Sequence, residues 1–383
     1  MMTIPADPAP RRAPAVRRPR VARPPVPLVA LLVALVCGLI GPVGCSRQPP
    51  RFVPPGADSS LSAQTDSFEV LVMRARAQWE SQDGATAAGT TARLLLDDLL
   101  RHPDRRLADR ARTFLDSCGF SAEVAGSVDI AATNFFSRAD PAGGSWPYLI
   151  WREADVVRHQ PIEGSGMRLM DLAARPPDAA TDPAGSAPQL VAAIYARSSG
   201  RGQQPVVIAW SRPPEGRRWA LAQTLGPDSL GGVGVVEFVV PSGGGTGLEA
   251  RTYRPTSGFD ECPTCPHIHH TIRFEWTADG FIRTADEVAP SPYQAFVQLI
   301  AALSVNDREM ALRVVSDPLL LDNAAQYEWG RSKGLWRVAP GTEESASEMT
   351  FFRGRREAYK VRFASRDGRW MVTDLQPTQR SVE

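Results

Sequence analysis

Residues 267–287 read HIHHTIRFEWTADGFIRTADE and carry the clearest structural signal in this sequence. Polar and apolar residues alternate from His267 to Trp276, which is the two-residue period of a β-strand with one buried face. Asp279-Gly280 follows, and this dipeptide favours the tight turn of a β-hairpin. A second strand is therefore predicted over Phe281–Glu287.

The two-residue period continues on the N-terminal side of this hairpin, so residues 120–290 are predicted to be rich in β-structure. The other candidate strands are 128–136, 148–158, 190–197, 205–210, 219–225, 233–240 and 248–254. Many short strands joined by polar turns indicate a sandwich or a partial barrel. Residues 176–188 are predicted to form a disordered loop.

Residues 66–119 have a helical period, because apolar residues recur there at three- and four-residue steps. Three helices are predicted, with Gly84 after the first, Pro103 in the first turn of the third and Gly119 as its end. They resemble a tetratricopeptide-type unit, which implies a groove for an envelope protein partner. The alternative is a small bundle that packs onto its own sheet.

Residues 291–383 are predicted to form an α+β domain. Its helices are expected at 293–303, from 305–307 onward and at 319–327, and its strands at 349–353, 358–365 and 369–376. The order of these elements and the strand DGRWMVTDLQP (367–377) resemble nuclear-transport-factor-2-like or cystatin-like domains. The resemblance implies a curved sheet around a helix with a pocket between them. Such folds occur in enzymes and in binding modules.

Residues 1–44 have the pattern of a secretory signal, with an arginine-rich start, an apolar run and small residues at the end. The run from Val26 to Ile40 is short for a membrane span, which needs about 20 apolar residues. A retained N-terminal anchor is the alternative. The arginines remain in the cytoplasm in either case, and the rest of the chain lies outside.

The leader ends in Pro42-Val43-Gly44-Cys45, which resembles the lipobox of bacterial lipoproteins, although Pro42 stands where that family usually has Leu. The resemblance implies cleavage before Cys45 and a lipid on this cysteine, so the membrane is the first expected partner. Ser46 after it implies the outer membrane, with the chain facing the periplasm. Residues 45–65 are predicted to form a disordered tether.

The composition limits the class of protein. The 383-residue chain has 43 basic and 42 acidic residues, and no basic patch of the kind that nucleic acid requires is evident. Its length allows two or three domains. The predicted fold class is therefore α+β and multidomain, with a small N-terminal helical module, a β-rich middle and C-terminal helices plus an antiparallel sheet.

Residues 262–270, CPTCPHIHH, form the one cluster of chemically versatile side chains. An exported chain favours a structural disulfide between Cys262 and Cys265. A metal site is the second interpretation, in which both cysteines join His267 and His269 as ligands. In the third, both histidines belong to the solvent face of the strand and His270 to its buried face, and no ligand is required.

The sequence contains no phosphate-binding loop, no nucleophile elbow and no HExxH metalloprotease motif, and no cofactor is expected. These absences and the anchor predict a non-enzymatic binding or scaffold lipoprotein. The competing hypothesis is a metal-binding protein or an enzyme centred on Cys262, Cys265, His267 and His269.

Overall fold

The computed structural model describes residues 67–119, 122–136, 144–153, 156–175, 190–213, 218–240, 246–277 and 279–378. Across these residues the chain forms seven helices and four antiparallel sheets, so the fold is mixed α+β, with helices first and a sheet last. Residues 65–383 group into one compact unit. The predicted signal peptide, Cys45, the tether and the 176–188 loop lie outside the described residues.

Three helices begin the described chain: α1 (Phe68–Ser81), α2 (Gly84–Arg101) and α3 (Leu107–Cys118). The Asp83 side chain accepts hydrogen bonds from the amides of Ala85 and Thr86, which explains why α2 starts at once after α1. Gly119 ends α3 with a φ of 70°, a conformation that suits a residue without a Cβ. The sequence-based prediction of three helices is confirmed, but Pro103 lies in the turn before α3, not in its first turn, because α3 begins only at Leu107.

The helices pack onto the first sheet, whose strands lie side by side in chain order: β1 (Ala122–Gly126), β2 (Ile130–Phe136), β3 (Ser145–Glu153) and β4 (Val156–Pro161). Leu71, Leu95 and Phe114 from the helices share one core with Phe135 and Ile150 of the sheet. The apolar side of the helical module therefore packs on its own sheet.

The second sheet covers the other face of the first and contains β5 (Arg168–Arg175), β6 (Leu190–Ser199), β7 (Gly202–Ser211) and β8 (Ala220–Leu225). Trp151 and Leu149 of the first sheet pack there against Tyr195 and Trp210. A short helix, α4 (Pro227–Leu230), follows β8.

The third sheet packs on the remaining face of the second sheet and contains β9 (Val233–Val239), β10 (Gly247–Tyr253), β11 (His269–Thr277) and β12 (Gly280–Val288). Ile194 and Val207 share a core there with Leu248 and Phe274. The β-rich middle is thus a series of three sheets packed face to face. Strands of its inner sheet are apolar on both sides, since both faces are buried.

The predicted strands differ from the observed ones in several places. Strands β1 (Ala122–Gly126), β5 (Arg168–Arg175) and the short strand Trp336–Val338 were not predicted, and the predicted strand 148–158 is two strands, β3 and β4. A register shift between Leu169 and Asp171 breaks the alternation in β5, which explains why its sequence lacks a clean period.

The C-terminal part contains α5 (Pro292–Ser304), α6 (Arg308–Leu312) and α7 (Leu319–Gln326), then a fourth sheet of β13 (Trp336–Val338), β14 (Glu348–Arg353), β15 (Glu357–Arg366) and β16 (Arg369–Pro377). Phe296 of α5 stacks on Phe351 with ring centroids 3.6 Å apart, which fastens the helix to the sheet. Asp367 and Gly368 both have positive φ, as a type I′ hairpin turn requires.

Both edges of the fourth sheet are covered by other parts of the chain. Val315 forms a parallel bridge to Val372 on β16, and Phe259 forms one to Trp336 on β13. At these two positions each edge is already paired, which leaves less of it open to a strand of another molecule. Phe259 belongs to residues 254–268, the connection from β10 to β11, so this connection joins the third sheet to the fourth. We call it the 254–268 loop.

Candidate functional site

The 254–268 loop carries the cysteines and His267, and it lies where the third and fourth sheets meet. The amide of Asp260 donates to the carbonyl of Trp336 at 2.8 Å, and the Trp336 amide donates to the Gly258 carbonyl at 3.0 Å. These two bonds hold the loop against the edge strand β13. The candidate site is therefore the junction between the sheets.

The two cysteines of the loop face each other. Their Sγ atoms lie 2.07 Å apart, which is disulfide distance, and the Cys265 amide donates to the Cys262 carbonyl at 3.0 Å. Cys265 is buried in the C-terminal core, and Cys262 packs against that core. The pair thus stiffens a turn that is anchored in the fourth sheet's domain.

The third interpretation placed His267 on the solvent face of a strand, and the structure contradicts it. Strand β11 begins at His269, so His267 belongs to the loop, and only 5% of its side chain is exposed. Its ring stacks on Tyr253 with centroids 3.6 Å apart and planes 10° apart. The loop folds back over the outer face of the third sheet, which buries the ring.

The other two histidines also differ from the expected alternation. His269 is mostly buried, whereas His270, which the third interpretation placed on the buried face, is partly exposed, and its Nδ1 forms a hydrogen bond with Asp286 at 2.9 Å. The remainder of the strand follows the prediction, since Ile272, Phe274 and Trp276 are all buried. Only the start of β11, where the loop covers the strand, departs from it.

Glu261 is the polar centre of the junction, although its side chain is only 4% exposed. It accepts hydrogen bonds from the Tyr293 hydroxyl at 2.7 Å and the Thr256 amide at 3.2 Å, and His267 Nδ1 lies 3.4 Å away. Burial by itself raises the pKa of this carboxyl, but the contacts with His267, Tyr293 and Thr256 together bring the pKa below its usual value. Glu261 is therefore a buried carboxylate at neutral pH.

Burial also shifts the pKa of Tyr293 and of His269, but the neighbouring carboxylate adds to the shift at Tyr293 and opposes it at His269. Burial and the neighbouring Glu261 charge raise the pKa of the Tyr293 hydroxyl, which keeps it a hydrogen-bond donor. The pKa of His269 is lowered because burial outweighs the opposing charge of Glu344. His269 Nε2 donates to Glu344 at 2.7 Å, and Arg251 binds the same carboxylate at 3.0 Å.

The four candidate metal ligands do not form a ligand set. The sulfurs of Cys262 and Cys265 are at bonding distance from each other, and the rings of His267 and His269 cross edge to face at 6.1 Å. Within the described ranges, no group of three or more His, Cys, Asp or Glu side chains is arranged to hold a metal ion. The arrangement is suited to holding two sheets together.

The sequence did not reveal four residues of this junction, namely Tyr253, Glu261, Tyr293 and Glu344. Glu261 precedes Cys262 and was visible as a neighbour of the cysteine pair, but its role depends on Tyr293, which belongs to α5. Glu344 comes from the connection between β13 and β14. No local pattern links such distant positions.

Cys118, the remaining described cysteine, is buried at the end of α3 and is a free thiol. Burial raises the pKa of the Cys118 thiol to about 12, which suppresses the reactive thiolate at neutral pH.

A cavity of about 280 Å³ opens between α5 and the start of β16. Gln294 and Gln298 line it from the helix, and Arg369 and Trp370 line it from the strand. It lies between the helix and the sheet.

Comparisons with known proteins leave the family open. No family model matches the chain, and neither the curated proteins nor the solved structures contain a match. No helix in the described part of the chain is long and apolar enough to cross a membrane.

Proposed function

We propose that this chain is a non-enzymatic binding or scaffold protein of the bacterial cell envelope, attached to the outer membrane through a lipid on Cys45. The support for the anchor is the leader and its lipobox-like end. In this proposal the body faces the periplasm, an oxidising compartment in which a Cys262–Cys265 disulfide persists.

The non-enzymatic role is supported mainly by the side chains in and beside the 262–270 cluster, which make structural contacts inside the protein. Glu261 and His267 are buried, and their contacts are made with Tyr253, Tyr293 and the loop itself. A catalytic acid or base needs access to a substrate proton. These side chains support a joint between two sheets, which is what a scaffold requires.

The finer layout belongs to this proposal. It comprises a helical module at 66–119, a sandwich-like β-rich domain at 120–290 and an α+β domain at 291–383. An envelope protein partner that uses the helical module binds its outward side, because the inward side packs on the first sheet. No nucleic acid or cofactor takes part.

The anchor is tested with single cysteine changes in the full-length chain, made in a bacterium that processes lipoproteins. Cys45→Ala is expected to abolish incorporation of a labelled fatty acid and the accompanying cleavage. Cys37→Ala, in the same leader, is the matched control and is expected to retain both. Equal labelling of wild type and Cys45→Ala would contradict a lipid on Cys45.

The non-enzymatic role is tested by screening the purified chain for hydrolytic and group-transfer activities. We expect no activity that depends on the 254–268 loop. An activity that is lost in both Glu261→Gln and His267→Gln, while the variants stay folded by circular dichroism, would contradict the proposal. Glu309→Gln, at a carboxylate exposed on α6, is the matched control.

A further inference from the structure

A groove of about 630 Å³ lies far from the 254–268 loop, along the edge strand β4 of the first sheet. We call it the β4 groove. Its lining includes Trp151 of β3, Leu96 of α2, Arg158 and Val156 of β4, and Arg218 just before β8. Its volume is within the range of small-molecule sites, which is roughly 300–1,000 Å³.

The charge in and around the β4 groove is strongly positive. Arg158 and Arg218 line it directly, and Arg212 lies close by. One carboxylate, Glu153, serves both Arg158 at 2.7 Å and Arg212 at 3.6 Å. Arg218 has no carboxylate within ion-pair distance among the described residues. These three arginines have one carboxylate between them, so the group carries a net charge of about two positive units.

His159 does not add to this charge at neutral pH. Burial lowers its pKa, and the positive charge of Arg93 lowers it further, so the ring is neutral. The ring stacks against Tyr148 with centroids 5.9 Å apart. The positive field thus comes from arginines, whose planar groups match carboxylate and phosphate oxygens.

Trp151 Nε1, behind the groove, is buried and lacks a hydrogen-bond partner within the described chain. Arg212 Nη1 is also buried, and Glu153, its ion-pair partner at 3.6 Å, is beyond hydrogen-bond distance. Buried donors without acceptors are costly and are rare in folded proteins. These donors, together with the arginines that line the groove, favour an anion over a cation.

Part of the groove is apolar, beside the polar side chains of His159 and Gln160. Leu96, Val157 and Pro161 contribute to its lining, and Val156 leaves nearly half of its surface exposed at the edge of the sheet. A bare inorganic ion would leave this surface in water. A ligand with an apolar group beside its charge would cover it.

We propose that the β4 groove binds a small organic anion, in which a carboxylate or phosphate is joined to an apolar group. Arg158 and Arg218 bind the charged end, and Leu96 and Val156 contact the apolar end. This site is separate from the junction at the 254–268 loop, and it is independent of whether Cys45 carries a lipid.

The test is isothermal titration of the full-length chain in a non-ionic detergent with phenyl phosphate and with benzoate. We expect Arg218→Gln and Arg158→Gln each to weaken binding about tenfold, since each removes one charged hydrogen-bond donor. Arg356→Gln, on the exposed turn between β14 and β15, is the matched control and should bind like wild type. Raising the salt concentration should weaken binding as well.

Two truncated probes test whether both the charge and the apolar group are needed for binding. Benzyl alcohol, which lacks the charge, and inorganic phosphate, which lacks the apolar group, should both bind at least tenfold more weakly than phenyl phosphate. Dihexanoyl phosphatidic acid tests the source of the anion. Tighter binding than that of phenyl phosphate indicates a lipid, and weaker binding indicates a soluble metabolite.

Three results would overturn the proposal. One is absence of binding by phenyl phosphate and benzoate at millimolar concentration. Another is equal affinity of wild type and the two arginine variants. The third is equal affinity for phenyl phosphate and either truncated probe. Circular dichroism of each variant shows whether the fold is retained.

Discussion

The imidazole of His267 lies flat against the ring of Tyr253, with centroids 3.6 Å apart and planes 10° apart. Tyr253 ends β10, and His267 stands at the far end of the 254–268 loop, so this stack closes the loop over the third sheet. Glu261 lies at the side of the imidazole and also binds Tyr293 of α5. Together, the contacts of His267 and Glu261 join the third sheet, the 254–268 loop and α5.

We expect His267→Ala to lower the free energy of unfolding by about 2–3 kcal/mol, because it removes a buried ring and leaves a cavity beside Tyr253. His267→Phe should lose less than half as much stability as His267→Ala, since it keeps the stacked ring. Urea unfolding of the purified full-length chain measures both. His270→Ala, at a partly exposed position, should change stability by less than about 0.5 kcal/mol. Equal effects of His267→Ala and His270→Ala would contradict the structural role.

Stability should fall with acid because of Glu261. The pKa of its carboxyl is lower in the folded chain than the ordinary value of 4.5, so its contribution is complete above that value. The contribution is lost as pH falls through the folded pKa. His269 acts in the same direction, since burial lowers its pKa from the ordinary 6.5 and protonation of this site therefore opposes folding.

Urea unfolding between pH 7 and pH 3 isolates the Glu261 contribution as the difference between wild type and Glu261→Gln. That difference should shrink as the pH falls below 4.5. Glu309→Gln, at an exposed carboxylate, should show a small difference that varies little with pH. A constant difference for Glu261→Gln across the range would show that its carboxylate charge makes no contribution.

Reduction of the Cys262–Cys265 pair should cost about 2 kcal/mol of stability, which is the low end for a disulfide because the closed loop is short. The intact mass of the non-reduced chain should be two hydrogens lower than that of the reduced chain, with no bound metal. Unfolding of Cys262→Ser/Cys265→Ser should be insensitive to reductant, which makes it the control. A metal that leaves on denaturation, with both thiols free, would restore the metal-site interpretation.

The pair of Asp98 and Arg110 fastens α2 to α3. Asp98 is only 1% exposed, and Arg110 donates to both of its carboxylate oxygens at 2.6 Å. Asp98→Ala should destabilise the chain by about 3–5 kcal/mol, because it leaves a partly buried guanidinium without its partner. Asp109→Ala, at an exposed position on α3, should cost less than about 1 kcal/mol.

A double change tests the origin of that cost. Asp98→Leu with Arg110→Met removes both charges and should recover much of the stability, since two apolar side chains need no partner. If the double variant were as unstable as Asp98→Ala, shape rather than the unpaired charge would explain the loss. Urea unfolding at neutral pH measures all three variants.

Local sequence was sufficient for the elements that depend on their own residues. The helical period from 68 to 118 predicts α1–α3, because an amphipathic helix shows its buried side every three or four residues. The dipeptide Asp279-Gly280 predicts the β11–β12 hairpin, although in the described part of the chain only Gly280 of this pair has a positive φ and it pairs with Thr277 at the end of the ladder. At the β15–β16 hairpin, Asp367 and Gly368 both have positive φ. The order of helices and strands after residue 291 follows from the same local rules.

Tertiary structure alone decided the junction and the β4 groove. The alternation around His267 predicts which side of a strand faces inward, but it contains no information about a loop that folds back over the strand. Tyr253, Glu261 and Glu344 meet His267 or His269 through contacts that cross up to 75 positions of sequence. Likewise, Arg158 and Arg218 share a groove only because two sheets stack. Burial and pKa depend on such non-local neighbours, and a local pattern does not encode them.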